Sequence, residues 1–154
     1  MILEIRKAGD PILRKRAFPL AKVSREMLIL ADNMMHTMYA AEGVGLAAPQ
    51  VGVPVRLIVV DVGDGPIVLF NPRIVRSAGE AIGREGCLSL PGGTGEVARA
   101  EEVIVESLAR NGLGVQTITG QGLLARALQH EIDHLDGILF IDRATNIVEE
   151  QADE

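Results

Sequence analysis

Two of the chain's three histidines lie four residues apart, in the motif His-Glu-Ile-Asp-His at positions 130–134. On a helix, side chains four positions apart share one face, so both imidazoles could bind a single metal ion. The glutamate beside the first histidine could reach a water molecule on that ion. The only cysteine, Cys87, offers a thiolate, which is a strong third ligand for a borderline-soft cation. Two His, one Cys and a free fourth position describe a hydrolytic metal site rather than a structural one.

The identity of the third metal ligand distinguishes zinc proteases from other metallohydrolases. A third histidine soon after the motif, as in one group of zinc proteases, is absent from the sequence that follows. A glutamate on a later helix could only be Glu149 or Glu150, in a polar tail without apolar periodicity to hold it in place. A lone cysteine is often a small buried hydrophobe, but the glycine before Cys87 and the lack of another soft ligand favour coordination. Asp133 and Gln129 are candidates to hydrogen-bond a ligating histidine, although Asp133 could equally be a solvated helix residue.

Two helices can be predicted from apolar spacing. The first covers about residues 25–41, with Ser24 as N-cap and apolar residues at intervals of three and four. The second covers 120–135, carries the histidine motif and is ended by Gly137. His36 lies on the first helix without a partner at ligand spacing, so we expect it to be a non-functional, partly exposed histidine.

Short apolar runs between the helices predict strands. Asn71 and Pro72 separate two of these runs, Asn111 and Gly112 predict a tight hairpin turn, and glycine-rich loops are expected at 42–52 and 85–95. The predicted strands are 2–5, 55–60, 67–70, 73–76, 97–98, 103–108 and 115–119. This order indicates an α+β fold with mostly antiparallel sheets around a central helix that carries the HExxH metal motif, plus one N-terminal helix.

The composition narrows the class of protein. A length of 154 residues fits a single catalytic domain, with an acidic tail from about residue 143. No apolar run approaches the roughly 20 residues that cross a bilayer, and the N-terminal residues lack the features of a secretory signal. One cysteine cannot form an internal disulfide, so we expect a soluble cytoplasmic protein. A net charge of −6 and few aromatic residues argue against nucleic-acid readout or binding to an anionic membrane.

Three motifs occur together in this chain. They are Gly-Val-Gly-Leu-Ala-Ala-Pro-Gln at 43–50, Glu-Gly-Cys-Leu-Ser at 85–89 and Gln-His-Glu-Ile-Asp-His at 129–134. This set, in this order, resembles the peptide deformylase family. The run Gly-Asp-Pro-Ile-Leu-Arg at 9–14 is similar to the family's opening, and the resemblance extends to about Asp142. A lone HExxH motif would suggest only a metallohydrolase, such as a zinc endopeptidase, which is the alternative interpretation.

The resemblance implies a hydrolase that removes the formyl group from the initiator methionine of new polypeptides. It implies Cys87, His130 and His134 as ligands of one divalent metal ion, usually Fe2+, with Zn2+, Ni2+ or Co2+ able to occupy the site. Metal-bound water would attack the formyl carbon, because a metal lowers the pKa of its water from ~15.7 toward ~7. Glu131 would act as general acid and base.

The resemblance also implies groups that bind the substrate. The side chain of Gln50 and the backbone N–H of Leu88 would polarise the formyl oxygen. Gly43 and Gly45 would let an extended peptide lie along their loop as an added strand, although a tight turn alone would also explain them. The methionine side chain needs an apolar pocket. Candidates for its walls are Val44, Leu88, Leu123, Ala127 and the stem of Arg126.

The implied partners are N-formylmethionyl nascent peptides. Some family members are thought to dock on the ribosome through a long basic C-terminal helix. Here only 20 residues follow His134, and they are acidic. A negative tail would repel ribosomal RNA, so the sequence gives ribosome association little support.

Overall fold

The computed structural model describes residues 1–149, which form two helices and eight strands arranged in two sheets. Helix α1 spans Arg25–Ala40, close to the predicted 25–41. The Ser24 side chain caps it by accepting a hydrogen bond from the Met27 N–H, and the helix buries Met34 and Met38 on its inner face. Helix α2 spans Gly122–Leu135 and carries the histidine motif, as predicted.

The larger sheet has five antiparallel strands in the order β1-β2-β3-β6-β7. Its strands are β1 (Gly45–Ala47), β2 (Leu57–Val60), β3 (Ile67–Ala78), β6 (Glu102–Leu108) and β7 (Val115–Gln121). The smaller sheet has three antiparallel strands in the order β4-β5-β8. These are β4 (Ala81–Cys87), β5 (Leu90–Arg99) and β8 (Thr145–Glu149). The predicted α+β class with mostly antiparallel sheets is therefore confirmed.

Strand β2 explains how the larger sheet lies between the two helices. All four of its residues have no exposed surface. Leu57 and Val59 belong to the apolar cluster around α1, whereas Ile58 and Val60 belong to the cluster around α2. Successive side chains of a strand point to opposite faces, so a strand covered on both faces must be apolar throughout. This packing holds α2 against the sheet and fixes the position of its histidines.

Several predicted boundaries were wrong. Residues 2–5 form no strand; the Leu3 N–H donates to the Thr37 hydroxyl of α1 rather than to a neighbouring strand. Strand β3 continues through the predicted break at Asn71, which takes a φ of 52° and bonds through its side chain to both backbone groups of Leu20. The pairing of β3 with β6 shifts register there, so the break is a bulge.

The predicted loop at 85–95 was also wrong. Most of it belongs to the hairpin of β4 and β5, and Cys87 is the last residue of β4. The polar tail has no apolar periodicity to hold it in place, yet Thr145–Glu149 pairs with β5 as β8, with every residue exposed. The other acidic residues of the tail, Glu150 onward, lie outside the described residues. Within residues 1–149, neither helix is long and apolar enough to cross a membrane.

Candidate metal centre

Helix α2 holds His130 and His134 on its buried face, one turn apart. Their ring centroids are 5.0 Å apart and both side chains are almost fully buried. Leu128 and Leu135, on the same helix, have no exposed surface and anchor it to the larger sheet. The helix stops beside the site because Gly137 takes a φ of 74°, which glycine adopts without strain. The rings are thus held on a rigid element rather than on a loop.

Cys87 approaches the two histidines from the end of β4, an edge strand of the smaller sheet. Its Sγ atom lies 3.3 Å from His134 Nε2. One ligand atom each from Cys87, His130 and His134 lies within 4.8 Å of the others. The hairpin of β4 and β5 changes register between Gly86 and Cys87, which places the thiol at the end of the ladder. The structure therefore brings together the three groups that the sequence nominated as metal ligands.

The chemistry of this cluster fits a bound divalent cation. Zinc–sulfur and zinc–nitrogen bonds of ~2.3 and ~2.0 Å would leave ligand atoms spaced as closely as these three. Burial alone would lower the pKa of His130, but the Glu131 carboxylate, Cys87 and Glu85 raise it to about 10. The groups around His130 thus stabilise a positive charge at the cluster, as a bound cation would require. A thiolate and two imidazoles suit iron and zinc alike.

His134 has the opposite electrostatics. Burial lowers its pKa well below 6.5, and the charge of His130 lowers it further. It is therefore neutral at physiological pH, which is the form that binds metals. Its Nδ1 atom has no hydrogen-bond partner among the described residues.

The second ring nitrogen of His130 is fixed by a carboxylate from β4. His130 Nδ1 lies 2.8 Å from Glu85 Oε1, so Nε2 is the atom left for a metal. Burial would raise the pKa of Glu85, but hydrogen bonds from Arg99 and His130 outweigh it and hold this pKa well below its usual range. Glu85 is thus an anion with fixed orientation. Asp133, the sequence candidate for this role, instead accepts from Arg99 and Arg143.

The other sequence candidate, Gln129, bonds to the backbone of Ala100 and Ala125 rather than to a histidine. Sequence reasoning missed Glu85 and Arg99 as supporting residues. The available signal was weak: Glu85 lies two positions before the cysteine, hence on the same strand face, but the segment was interpreted as a loop. His36 is exposed on α1, away from this cluster.

Glu131 is almost fully buried beside the cluster. Its Oε2 atom lies 3.9 Å from His130 Nε2, and its Oε1 atom has no hydrogen-bond partner in the part of the chain that the structure describes. Burial raises its pKa from 4.5 to about 7, against the attraction of His130. A methyl group at Gly45 would lie 2.5 Å from Oε2, so only glycine leaves room for this carboxylate. A carboxyl group with this pKa can both take and return a proton near neutral pH.

Gln50 is held with its amide nitrogen toward the cysteine. The Ala47 N–H donates to Gln50 Oε1 over 2.9 Å, which fixes the orientation of the amide. Gln50 Nε2 then donates to the Ser89 hydroxyl at 3.1 Å and lies 3.5 Å from Cys87 Sγ. The side chain is 1% exposed. Gln50 therefore offers a rigid donor at the cluster.

A cavity of about 610 Å³ opens over these groups. Of the residues nominated from the sequence as catalytic, metal-binding or substrate-binding, all except His134 line it. Those lining it are Gly43, Val44, Gly45, Gln50, Cys87, Leu88, Leu123, Arg126, Ala127, His130 and Glu131. A volume of this size suits a peptide end with one buried side chain. Glu149, the candidate ligand for a zinc endopeptidase, is instead exposed on β8 opposite Gly93 and does not belong to the cluster.

Comparison with known proteins gives one consistent family. Residues 2–150 match the family model described as polypeptide deformylase. A peptide deformylase of Halothermothrix orenii is 57% identical over 151 residues, covering 97% of each chain. One from Desulfitobacterium hafniense is 54% identical and covers 93% of this chain and 95% of its own.

Solved structures agree with the sequence comparisons. The crystal structure of peptide deformylase from Thermotoga maritima superposes with a TM-score of 0.91 at 41% identity, covering 94% of this chain and 99% of that one. A structure from Synechococcus elongatus in complex with actinonin superposes with a TM-score of 0.89 at 44% identity, over 94% of this chain and 79% of that chain.

Proposed function

This chain belongs to the peptide deformylase family, and from that premise we propose which of its residues carry the reaction. It is an enzyme that removes the formyl group from the N-terminal methionine of newly made polypeptides, and it depends on a metal ion. We propose that Cys87, His130 and His134 hold that ion. The observation that supports this ligand set is the convergence of the three side chains, one from strand β4 and two from helix α2, within 4.8 Å.

The proposed ion is Fe2+, with Zn2+, Ni2+ or Co2+ as substitutes. The thiolate and imidazole donors accommodate all four, so the order of affinities alone does not decide which ion occupies the site in cells. When bound, the ion would supply Lewis acidity and lower the pKa of water from ~15.7 toward ~7, which gives a nucleophile at neutral pH. Glu85 would orient His130 toward the ion through the hydrogen bond to Nδ1.

Glu131 is the proposed general base and acid. Its carboxylate lies beside His130, and its free Oε1 atom is available to take the proton of the attacking water. The same group then hands that proton to the departing amine, which converts a poor leaving group into a neutral one. A pKa of about 7 suits both steps, because the carboxylate is ionised often enough to accept a proton and acidic enough to release it.

The proposed donors to the formyl oxygen are the Gln50 amide and the Leu88 backbone N–H. Attack on an amide carbon places negative charge on this oxygen, and fixed donors stabilise it without rearranging. Gln50 suits the role because the Ala47 N–H already holds the carbonyl end of its amide. Loss of one such donor typically costs ~2.7–4 kcal/mol.

The proposed substrate site runs between two sheet edges. Strand β1 is the edge of the larger sheet and β4 is the edge of the smaller one, and residues of both line the cavity. A peptide in extended form can add to such an edge through its backbone. Gly43 and Gly45 leave their backbone free of side chains for such a peptide. A side chain at Gly43 would also meet Leu88, and one at Gly45 would meet Glu131. The apolar methionine side chain would lie against Val44, Leu88, Leu123, Ala127 and the stem of Arg126.

We further propose that residues 1–154 form one catalytic domain that acts in the cytoplasm, where formylated chains are made. The substrate is the nascent peptide itself. The acidic residues after His134 make a contact with ribosomal RNA through that segment unfavourable.

The direct test is hydrolysis of a formyl-Met peptide by protein purified without air and loaded with Fe2+, Ni2+ or Co2+. Turnover with any of these metals, lost on chelation and restored by metal, is the expected result. Stoichiometric metal without turnover would instead indicate a binding module that kept the fold. Anaerobic handling matters because a ferrous ion and its thiolate are both oxidisable.

A further inference from the structure

Arg126 joins the metal-binding helix to the smaller sheet. Its Nη1 atom donates to Glu85 Oε2 over 2.7 Å and to the Val97 carbonyl over 2.9 Å, and its Nη2 atom donates to the Ala81 carbonyl over 2.9 Å. The side chain is 14% exposed. Three acceptors from β4 and β5 therefore fix the guanidinium in one orientation.

The sheet leaves a space for this guanidinium. A methyl group at Gly83 would lie 2.9 Å from Arg126 Cζ, so β4 can approach α2 here only because residue 83 has no side chain. Arg126 also lines the substrate cavity, together with Leu123 and Ala127 of the same helix. One residue thus belongs both to the cavity wall and to the supports of the metal centre.

The contacts of Glu85 show what the charged end of Arg126 does. Glu85 Oε1 lies 2.8 Å from His130 Nδ1 and accepts from Arg99. Glu85 Oε2 accepts from Arg99 and from Arg126. Arg99 donates one hydrogen bond to each oxygen of the carboxylate through two of its nitrogens. The bond from Arg126 to Oε2 opposes rotation of the carboxylate away from His130.

We propose that Arg126 is a positioning residue, which fixes Glu85 so that His130 is oriented for its metal and thereby sets how tightly the site holds the ion. The inference rests on the proposed function, because it takes His130 as a ligand. Supports of metal ligands typically change metal affinity or activity 10–100-fold when removed. Arg126 acts through Glu85, so we expect its removal to cost about tenfold, at the low end of that range.

A purely structural role would have a different signature. The bonds from Arg126 to the Ala81 and Val97 carbonyls join α2 to the smaller sheet, and their loss would lower stability whatever happens to the metal. The two roles separate in a double-mutant cycle with Glu85, because coupled residues give non-additive effects on the property they share.

The experiment uses Arg126→Met, which keeps an apolar stem on the cavity wall, together with Glu85→Gln and the double variant. Arg73→Met is the control, since Arg73 makes an exposed ion pair with Glu106 away from the site. Each protein is loaded with Co2+, and the dissociation constant of the metal is measured by competition with a chelator followed by absorbance. The temperature is kept well below the lowest melting point of the set.

We expect Co2+ to bind about tenfold more weakly to Arg126→Met and unchanged to Arg73→Met. In the Glu85→Gln background, adding Arg126→Met should weaken binding no further. Arg126→Lys keeps a cation near Glu85 and should recover part of the affinity for Co2+. If the methionine variant does not fold, the lysine variant replaces it in the measurement.

An unchanged dissociation constant in Arg126→Met, with only a lower melting point, would overturn the proposal. So would a full tenfold loss in the Glu85→Gln background, or recovery of stability by Arg126→Lys without recovery of affinity. A wild-type protein that neither binds Co2+ nor hydrolyses a formyl-Met peptide would overturn the proposed function instead, and this inference with it.

Discussion

Replacement of Glu131 by glutamine separates the chemistry of the site from its folding. The substitution keeps the volume of a side chain that is 4% exposed, but removes its ability to exchange a proton. General acid and base catalysis contributes ~10²–10⁴-fold. We therefore expect kcat to fall within that range, equivalent to about 3–5 kcal/mol of transition-state stabilisation. The metal content should stay at one ion per chain, because Cys87, His130 and His134 are untouched.

The same substitution should make the metal-free protein more stable above neutral pH. Burial raises the pKa of Glu131 to about 7 in the folded state, from 4.5 in the unfolded chain. Between these values the folded protein holds a proton that the unfolded chain has released, so the carboxyl group increasingly destabilises the fold as the pH rises to 7. From pH 5.5 to pH 8 the free energy of unfolding should fall by about 2 kcal/mol through this group alone. Glutamine has no such dependence.

The assay compares wild type, Glu131→Gln and the surface control Glu106→Gln. Steady-state hydrolysis of a formyl-Met peptide gives the loss in kcat, and urea unfolding of the chelated proteins at both pH values gives the stability difference. Glu106→Gln should match wild type in both. The reasoning is refuted if Glu131→Gln keeps activity within tenfold of wild type, or if its stability relative to wild type is the same at both pH values.

Three other substitutions test the site and the core. Cys87→Ala should lose the metal and the activity together, measured by elemental analysis, and a stoichiometric ion in this variant would exclude the proposed ligand set. Gly45→Ala places a methyl group 2.5 Å from Glu131 Oε2, so kcat should fall up to about a hundredfold while metal content holds; unchanged kinetics would mean that this carboxylate is free to move. Leu128→Ala, at a side chain with no exposed surface, should lower the free energy of unfolding by ~2–5 kcal/mol in urea titration, with activity per folded molecule retained.

The two helices, and the placement of both motif histidines on one helix face, could be predicted from the sequence because they depend on local spacing. A period of three and four residues along 25–41 and 120–135 is enough to place α1 and α2 within two residues. The same period puts His130 and His134 on one face. Cys87 could be nominated by its residue type and by the family resemblance, but its approach to His134 depends on how the smaller sheet packs on α2.

Glycine-rich strands were the main failure of local reasoning. In residues 85–95 four glycines and Pro91 predict a loop, yet pairing across the β4–β5 hairpin overrides these preferences. Two glycines of the hairpin are required by packing: a side chain at Gly83 would collide with Arg126, and one at Gly95 would collide with Ala144. Such requirements come from another part of the chain, so they cannot be read from neighbouring residues.

The residues that hydrogen-bond the metal ligands could not be predicted either, because they come from distant parts of the sequence. Glu85 reaches His130 across 45 positions of sequence, whereas Asp133 is nearby in sequence but faces Arg99 and Arg143. Spacing on a helix shows which side chains share a face, but it does not show what the facing sheet presents to them. The tail gave a similar error, because β8 forms through pairing with β5 rather than through its own apolar pattern.

The central claim is that one cation is held by a single sulfur and two imidazole nitrogens. X-ray absorption spectroscopy of the zinc-loaded protein measures this directly. The predicted first shell has one sulfur at ~2.3 Å and nitrogen or oxygen neighbours at ~2.0–2.1 Å. A shell of nitrogen and oxygen alone, with no sulfur, would contradict the account.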